Sequence, residues 1–397
     1  MKIGFWLNED FGPTEGGGAS YTNRFLSLVD RFNFSEGIEL CYVSIYPNTH
    51  FEREVINVSQ IPSFIYKLCA FSKTILGVLR IIDLKILRLR GLKSVLKGTD
   101  VKIMYYIQQA TTIDSSFPFI STNWDIGHRS TFPFPELCNN NNFEIRDSFY
   151  MHVLPKALMV ICESETGKKE LMDYTNIGSH KISVLPLFAG GVSSLHVTEE
   201  VMAGILRNIG LDKFKYFYYP AQFWAHKNHI GLLRAFKKFL LEGHTGFKLV
   251  LSGADKGNLL YIKKYAEEIG VLNQVLFLGF ISENEVYSLY KCAAGLVMAS
   301  HFGPTNMPPI EAMEIGCPIA CTDIGGHREI LGDAAAYFDS FDDLSICHAM
   351  TEIVDYRDSY VSKLLVQKGK TLFNSDYAID CLNNILLKAV NIRKNWD

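Results

Sequence analysis

Short apolar runs alternate with helical patterns along most of the chain. Segments with apolar residues at helical spacing separate these runs, beginning with Tyr21–Phe32. Apolar runs of four to eight residues are typical of strands that are buried on both faces, and their alternation with helices favours a parallel sheet covered by helices. In the first half the predicted strands are Ile3–Leu7, Glu39–Ile45, Val101–Tyr106, Phe119–Ser121, Ala157–Cys162 and Lys181–Leu185.

The alternation restarts after a loop-like stretch at residues 186–200. A chain of 397 residues exceeds the usual size of one hydrophobic core, so we predict two α/β domains, residues 1–195 and 196–375. A long helix at Tyr377–Ile392 closes the chain. The second half has predicted strands at Tyr216–Tyr219, Lys248–Ser252, Val275–Leu278, Gly295–Met298 and Ile319–Cys321, and predicted helices at His229–Leu241, Leu259–Gly270, Glu283–Cys292 and Pro309–Ile315.

Composition narrows the possible compartment and partners. The net charge of −3 argues against nucleic acid as a partner, and there is neither an apolar signal region nor a run of 18 apolar residues. The nine cysteines are scattered without a CxxC pair, as in cytosolic proteins with reduced thiols. Cys317 and Cys321 have no second pair nearby to complete a metal site. We therefore expect a cytoplasmic protein without a metal.

The segment Ile61–Gly98 departs from this average. It contains eight Lys or Arg residues, among them Lys85, Arg88 and Arg90, against a single acid, Asp83. Apolar residues recur between them at helical spacing. A basic amphipathic helix of this kind favours the anionic surface of a membrane, which would make the protein peripheral on the cytoplasmic face. The alternative is a surface helix that packs on the sheet and keeps a solvated basic face.

A glycine-rich motif, "EGGGAS" at residues 15–20, follows the first predicted strand and precedes a helix. Glycines here, such as Gly17 and Gly18, allow the backbone to approach a ligand closely. The motif is not G-x-G-x-x-G, and no acid lies about 20 residues later at the end of a second strand, so a nicotinamide dinucleotide is disfavoured. A glycine turn without a ligand is the alternative.

Two loops of the second half carry the candidate chemistry. Lys227 lies between a strand that ends at Pro220 and a helix that Asn228 is expected to cap. A lysine at the carboxyl edge of a parallel sheet, beside a helix N-terminus, is well placed to bind a phosphate. A solvated surface lysine is the alternative.

The second loop is "HFGPTNMPPIEAMEIGC" at residues 301–317. We expect Thr305 and Asn306 to cap the helix that begins at the two prolines, so that the amides of Asn306 and Met307 point outward as an anion site. Glu311, one turn later, suits a neutral diol such as ribose, because a carboxylate accepts two hydroxyl hydrogen bonds. A phosphate site beside a diol acceptor predicts a sugar-nucleotide site.

In the second half a series of motifs resembles glycosyltransferase family 4. The strings "YPAQFWAHKNH", "KLVLSG", "VLFLGFISENEVYSLYKCAAGLVMAS", "GPTNMPPIEAMEIGCPI" and "GGHREILGDAAAYFD" occur in the family's order over residues 210–340. The first half is similar more loosely, through "GGGAS" and "NWDIGHRSTFPFPE" at Asn123–Glu136. The resemblance implies a GT-B fold: two Rossmann-like domains that face a cleft, with the C-terminal helix (376–397) packing back on the first domain.

The resemblance also implies a reaction and roles for residues. The reaction is a retaining transfer of a hexose, such as mannose, from a nucleotide diphosphate sugar, without a metal or cofactor. Family habit favours a lipid-linked saccharide as the acceptor, in surface polysaccharide (O-antigen, capsule or lipopolysaccharide) assembly. By position Lys227 would bind the donor diphosphate, Glu311 its ribose, the amides of Asn306 and Met307 its distal phosphate, and Gly17 and Gly18 would approach from the other domain.

The "NWDIGHR" stretch resembles a family pattern that often begins with His; here Trp124 takes that place. Asp125, His128 and Arg129 match the rest of the pattern. His128 is expected to contact the reacting sugar or the acceptor, with Asp125 and Arg129 on the acceptor side. A structural histidine in the core is the alternative.

Two further positions depart from the family pattern. Gln222 stands where an arginine is usual, and Gly303 stands where a glutamate that contacts the transferred sugar is usual. The loss of an arginine hydrogen bond to the diphosphate would cost about 1–3 kcal/mol. We expect His226 or Arg328 to restore the positive charge, and Thr305, Asn306 or a backbone amide to contact the sugar. The alternatives to a transferase are a non-catalytic GT-B scaffold subunit of a polysaccharide-assembly complex, and a sugar-nucleotide 2-epimerase.

Overall fold

The computed structural model describes residues 1–7, 17–46, 51–109 and 111–396. The first two residues of the glycine motif, Glu15 and Gly16, lie outside these ranges, whereas Gly17 and Gly18 are described. The described residues form two parallel sheets, each flanked by helices, which confirms the predicted α/β fold.

The first sheet has seven strands in the order β3-β2-β1-β4-β5-β6-β7. Its strands are β1 (Lys2–Leu7), β2 (Glu39–Ser44), β3 (Val55–Asn57), β4 (Val101–Tyr106), β5 (Phe119–Asn123), β6 (Met159–Cys162) and β7 (Ile182–Val184). Its helices are α1 (Gly17–Arg31), α2 (Ser63–Cys69), α3 (Lys73–Arg90), α4 (Leu92–Val95), α5 (Gly127–Ser130), α6 (Pro135–Cys138), α7 (Asn142–Ser148) and α8 (Glu165–Tyr174).

The second sheet has six strands in the order β10-β9-β8-β11-β12-β13. Its strands are β8 (Tyr216–Pro220), β9 (Lys248–Ser252), β10 (Val275–Gly279), β11 (Gly295–Met298), β12 (Ile319–Thr322) and β13 (Ala336–Phe338). The helices of this half are α9 (Glu199–Ile209), α10 (His229–Leu241), α11 (Leu259–Glu268), α12 (Glu283–Cys292), α13 (Met307–Ile315), α14 (Gly325–Leu331), α15 (Asp343–Asp355), α16 (Arg357–Lys368) and α17 (Ser375–Arg393).

The strand order places a crevice in each sheet. The chain leaves β1 in one direction along the first sheet and returns to its other side with β4; β8 and β11 do the same in the second sheet. Ligands of open parallel sheets bind outside the carboxyl ends of the strands at such a reversal. In the second domain this point is bordered by the loops that follow β8 and β11, which are the two loops singled out in the sequence.

The final helix, α17, returns to the first domain. The side chain of Asn383 accepts a hydrogen bond from the Ser35 amide (2.9 Å) and donates one to the Ser35 hydroxyl (2.8 Å). Lys388 Nζ donates to the carbonyl of His180 (3.1 Å). The last element of the chain therefore ties the second domain to the first.

The basic segment forms three helices, α2 to α4, rather than one continuous helix. Ser72 caps α3 at its N-terminus, and Gly91, with a φ of 74°, separates α3 from α4. The acid of this segment, Asp83, is fully buried and accepts hydrogen bonds from the Tyr66 hydroxyl (2.6 Å) and the Gln60 amide (2.8 Å). Asp83 thus anchors α3 to the loop after β3.

The other side of this helical segment is open to solvent. Phe71 at the α2–α3 turn is fully exposed, and Leu89 at the end of α3 is 87% exposed. Large exposed apolar side chains in this region are Phe64, Leu68, Phe71, Ile75, Val78, Ile81, Ile82 and Leu89. Packing on the sheet therefore accounts for Leu87, Leu92 and Leu96, which are buried, but not for this outer face. Among the described helices, none is both long and apolar enough to cross a bilayer.

Helix α14 packs directly against the loop that follows β11. A Cβ atom added at Gly326 would lie 0.9 Å from the carbonyl oxygen of Pro304, so this contact requires glycine. We expect Gly326→Ala to lower the free energy of unfolding by about 2 kcal/mol or more, because the loop must move to admit the methyl group. Urea unfolding measures this change.

The control for this prediction is Gly204→Ala in α9, where an added Cβ meets no atom within 4 Å. This change should raise the stability by about 0.5–1 kcal/mol, since alanine is the better helix former. Equal stabilities of the two variants would contradict the packing described for Gly326.

Candidate functional site

The loop after β8 holds Lys227 at the crevice of the second sheet. The hydroxyl of Tyr219 donates to the Lys227 carbonyl (3.0 Å), which fixes the loop to the end of its own strand. Asn228 then caps α10: its side chain accepts a hydrogen bond from the Gly231 amide (3.1 Å). The predicted strand end, loop and N-cap are all found at these positions.

The ammonium group of Lys227 is bound by neutral groups. Its Nζ donates to Oδ1 of Asn306 (3.0 Å) and to the Ser300 hydroxyl (3.4 Å). Within the described ranges it forms no ion pair with a carboxylate. Burial lowers the pKa of Lys227 to about 8, and the negative charges of Asp125 and Glu136 oppose this shift. The site therefore contains a positive charge that no adjacent anion neutralises.

The loop after β11 is arranged differently from the predicted cap. Helix α13 does begin at Met307, but the Asn306 side chain makes no capping hydrogen bond and turns to Lys227 instead. The Thr305 hydroxyl donates to Glu163 of the first domain. The capping prediction is wrong because both side chains have partners outside the helix.

The amides at the start of α13 remain available to a ligand. In the described part of the chain the amides of Asn306 and Met307 donate no hydrogen bond to another residue. Pro308 and Pro309, which follow, have no N–H to donate. The positive end of this helix dipole is therefore presented by these two amides, beside Lys227.

Gly303 occupies a backbone conformation that other residues adopt with strain. Its φ is +125°, and an added Cβ would lie 2.8 Å from the side-chain nitrogen of Asn306. A glutamate at this position would require a different loop. The absence of a carboxylate at residue 303 is thus built into the conformation of the loop.

Glu311 lies one turn into α13 and is nearly buried. The Tyr290 hydroxyl donates to its Oε2 (3.0 Å), and its Oε1 faces the segment between the domains at Gly190. Burial raises the pKa of Glu311 to about 7, against the opposing effect of the Tyr290 hydrogen bond. One oxygen is therefore held by Tyr290, while the other lies beside the segment that joins the domains.

Glu163, the first residue after β6, was not among the predicted site residues. It is the buried carboxylate that accepts the hydroxyl and amide hydrogen bonds of Thr305, so it joins the two domains at the site. Burial raises its pKa to about 8, with a smaller contribution from the negative charge of Asp125. A signal was available, because an acid directly after a buried parallel strand lies at the edge where ligands bind.

The structure places His128 in an enclosed position on α5. Its side chain is not exposed, packs against the rings of Phe143 and Tyr150, and lies 3.6 Å from a carboxylate oxygen of Asp147. Burial lowers the pKa of this imidazole to about 4. In this conformation His128 presents no face to the cleft, so its contact with a substrate stays a prediction.

Asp125 and Arg129, the other residues of this stretch, are each in an ion pair. Asp125 pairs with Arg146 and accepts the Gly127 amide (2.8 Å), and Arg129 pairs with Asp147. The ring of Trp124 lies over the first turn of α1, 3.9 Å from where a Cβ of Gly18 would stand. Gly17 begins the same turn, so the glycine motif and Trp124 meet at the crevice of the first sheet.

Gln222, at the position of the family's arginine, and the two residues expected to replace its charge, Arg328 and His226, all have partners within the protein. Gln222 accepts a hydrogen bond from the Trp224 indole (2.9 Å). Arg328 forms a two-pronged ion pair with Asp323, with both distances 2.7 Å. His226 contacts Glu136, and burial lowers its pKa. The expectation that Arg328 or His226 supplies the missing charge is therefore not met by this arrangement.

Three carboxylates connect the domains around the site. Glu136 of α6 accepts the His226 amide (2.9 Å), and Glu163 binds Thr305 as described. Glu329 of α14 reaches in the opposite direction, since its two oxygens accept the amides of Glu165 (2.8 Å) and Thr166 (2.9 Å) at the start of α8. The loops of both domains are thus brought together over the crevices.

The described residues contain no group of three or more His, Cys, Asp or Glu side chains arranged to hold an ion.

The raised pKa of Glu163 generates a test of this site. The folded protein keeps the Glu163 proton between the ordinary glutamic acid pKa of about 4.5 and a pKa of about 8. The contribution of protonated Glu163 to the free energy of unfolding is therefore fully present below pH ~4.5. It is lost as the pH rises to about 8. Glu163→Gln, which stays neutral and can still accept from Thr305, should gain stability over the wild type across this window, by up to several kcal/mol.

Melting temperatures of both proteins between pH 5 and pH 9 measure this difference. Glu200→Gln, at an exposed position in α9, is the control for the loss of a surface charge. A Glu163→Gln variant that followed the wild type at every pH would show that Glu163 is ionised in the folded protein.

The comparisons with known proteins agree with this geometry. Residues 206–361 match the family described as glycosyl transferases group 1. An uncharacterized glycosyltransferase of Methanocaldococcus jannaschii is 29% identical over 182 residues, 44% of this chain and 45% of the relative. O-antigen chain mannosyltransferase B of Escherichia coli is 22% identical over 227 residues, 57% of this chain and 59% of the relative. These alignments span about half the length of the relatives.

Solved structures match over nearly the whole chain. Sucrose-phosphate synthase from Thermosynechococcus elongatus superimposes with a TM-score of 0.71 at 14% identity, covering 98% of this chain and 99% of the other. HepE of Anabaena, in complex with UDP-glucose, gives 0.67 at 14% identity and the same coverage. Both domains and their mutual arrangement therefore follow the GT-B fold. The stretch that matches the group 1 glycosyl transferases, residues 206–361, carries the crevice, Lys227 and Glu311.

Proposed function

We propose that the protein is a retaining glycosyltransferase that moves a hexose from a nucleotide diphosphate sugar to a saccharide acceptor. The observation that carries this proposal is the grouping of Lys227, the free amides of Asn306 and Met307, and Glu311, whose Oε1 lies beside the interdomain segment, around one crevice. A cation and a helix N-terminus suit a diphosphate, and a carboxylate suits the ribose hydroxyls.

The proposed donor is a GDP or UDP sugar, with mannose as the first sugar to test. Relatives named O-antigen mannosyltransferases support the sugar, and the HepE complex with UDP-glucose supports a nucleotide sugar in this fold. With Gly303 in place of a glutamate, the sugar hydroxyls would be met by Asn306, by main-chain amides, or by Glu163 across the cleft.

The proposed chemistry is a front-side displacement without a metal or cofactor. As the bond between the sugar C1 and the diphosphate oxygen loosens, negative charge grows on the leaving diphosphate. Lys227 and the start of α13 would stabilise that charge, and the incoming hydroxyl would pass its proton to the same diphosphate. Closure of the domains, through carboxylates such as Glu163 and Glu329, would exclude water and limit hydrolysis of the donor.

Removal of either donor-binding group should reduce transfer strongly. Lys227→Met removes the ammonium, so we expect a loss of tenfold or more in kcat/KM, and Glu311→Gln should raise the donor KM by weakening the ribose contact. Sugar transfer to a soluble acceptor mimic, followed by mass spectrometry, measures both.

Lys237→Met on the exposed face of α10 and Glu200→Gln on α9 are the matched controls and should behave as the wild type. Near wild-type transfer by Lys227→Met and Glu311→Gln would reject the site. A wild-type protein that bound nucleotides without turning over any donor would favour the scaffold alternative.

The acceptor is proposed to be lipid-linked and reached at an anionic membrane surface in the assembly of a surface polysaccharide. The support is the outer face of α2 and α3, where exposed apolar side chains such as Phe71 lie among exposed basic ones. Lys85, Arg88 and Arg90 are all exposed at the C-terminal half of α3. Apolar side chains that enter the interface and cations that bind anionic headgroups act together in peripheral membrane helices.

Removal of this charge should separate membrane binding from transfer. The triple change Lys85→Gln, Arg88→Gln and Arg90→Gln should weaken sedimentation with anionic vesicles, by about 1 kcal/mol per charge, and leave transfer to a soluble acceptor unchanged. Phe71→Ser should weaken binding without a change of charge.

The control removes the same number of charges from the second domain, at Lys237, Lys263 and Lys264, which are exposed on α10 and α11. If the α3 variant sedimented with vesicles as well as this control, the membrane surface would lie elsewhere.

A further inference from the structure

Asn306 has an unusual backbone at the centre of the site. Its φ and ψ are 66° and 139°, a combination that residues other than glycine rarely adopt. Such a conformation persists only where surrounding contacts hold it. The side chain of Asn306 makes those contacts.

The Asn306 side chain lies between a cation and a neutral imidazole. Its Oδ1 accepts from Lys227 Nζ (3.0 Å), and its Nδ2 donates to Nε2 of His327 (3.2 Å). Lys227 can only donate, which fixes the carbonyl oxygen of the amide on its side. The amide nitrogen must therefore face His327.

His327 is suited to accept this hydrogen bond. It is fully buried in α14, and burial lowers its pKa to about 4, so the ring is neutral at physiological pH. Its Nδ1 lies 2.7 Å from the carbonyl oxygen of Thr322, which can only accept. The proton therefore lies on Nδ1, and Nε2 carries the lone pair that Asn306 requires.

Gly303 provides the space for this arrangement. The side-chain atoms of Asn306 stand 2.8–3.1 Å from where a Cβ of Gly303 would be. The lack of a side chain at Gly303 therefore leaves the space that the Asn306 side chain occupies.

We propose that Asn306 and His327 are positioning residues that hold the Lys227 ammonium toward the diphosphate with a neutral acceptor. This inference rests on the proposed function. A carboxylate at the same place would also hold Lys227 but would neutralise it and repel the phosphates. An amide holds the ammonium and leaves its full charge to the ligand, and His327 fixes which end of the amide faces Lys227.

The first test is Asn306→Gly. Glycine suits the observed φ, so relief of backbone strain offsets part of the stability lost with the two side-chain hydrogen bonds, and affinity is compared at temperatures where both proteins are folded. We expect UDP and GDP to bind roughly tenfold more weakly by calorimetry, with a higher donor KM and a lower kcat. Asn306→Asp, which keeps the shape and adds a charge, should bind more weakly still.

The matched control is Asn141→Gly. Asn141 is an exposed asparagine of the first domain with a φ of 60° and a ψ of 26°, so the same change is made at a positive φ remote from the site. Its affinity should equal that of the wild type. His327→Gln can donate to Thr322 and accept from Asn306 through its amide. If the two variants melt at the same temperature, it should bind UDP and GDP more tightly than His327→Ala does.

The outcomes separate this inference from the proposed function. If Lys227→Met loses affinity while Asn306→Gly, Asn306→Asp and His327→Ala all bind as the wild type does, the positioning role is wrong and the donor site stands. If Lys227→Met itself binds UDP and GDP normally, the donor site is wrong. Loss in Lys227→Met and Asn306→Gly, with Asn141→Gly unaffected, supports both.

Discussion

The site depends on a positive charge that is partly withdrawn from water without a carboxylate beside it. An isolated ammonium in such a place costs free energy, which is why burial lowers the pKa of Lys227 to about 8. The groups in direct contact with the ammonium are neutral, the Asn306 amide and the Ser300 hydroxyl, and the charges of Asp125 and Glu136 act on it only from a distance. The folded protein thereby keeps an ammonium charge at the crevice that has no carboxylate in contact with it and that an anionic ligand can pair with.

Burial also acts on two of the acids near this charge, Glu163 and Glu311, and here it favours the neutral form. Burial raises the pKa of both Glu163 and Glu311, to about 8 and about 7, so part of the negative charge near the crevice is held back as neutral acid. The raised pKa values of these two acids reduce the negative charge that opposes an anionic ligand at Lys227, although Glu136, whose pKa is lowered, stays ionised. The net charge of −3 for the whole chain gives no indication of this local balance.

The sequence predicted the fold well where long elements repeat a clear pattern. Helices His229–Leu241 and Glu283–Cys292 and strands Val101–Tyr106 and Lys248–Ser252 have the predicted bounds. The three-residue strands β3 and β13 were missed, whereas β7, equally short, was predicted from the longer run Lys181–Leu185; three residues carry no periodicity of their own and depend on pairing with a neighbour.

The candidate site was predicted in part. Lys227, Glu311 and the start of α13 could be located because strand ends and helix starts are local features of the sequence. The partners of Thr305 and Asn306 could not, since Glu163 and His327 are 142 and 21 residues away and approach only through the tertiary fold. A capping preference was overridden by these longer-range partners, which is how local propensity usually fails at a functional site.

The N-terminus of α8 has a consequence for how the two domains communicate. A helix leaves four amides without partners at its start. Here the Ser164 side chain satisfies that of Gly167, whereas those of Glu165 and Thr166 are satisfied by Glu329 of the other domain. When the domains part, half of this helix end loses its acceptors to solvent. The order of the first turn of α8, which belongs to one domain, therefore depends on how close the other domain is.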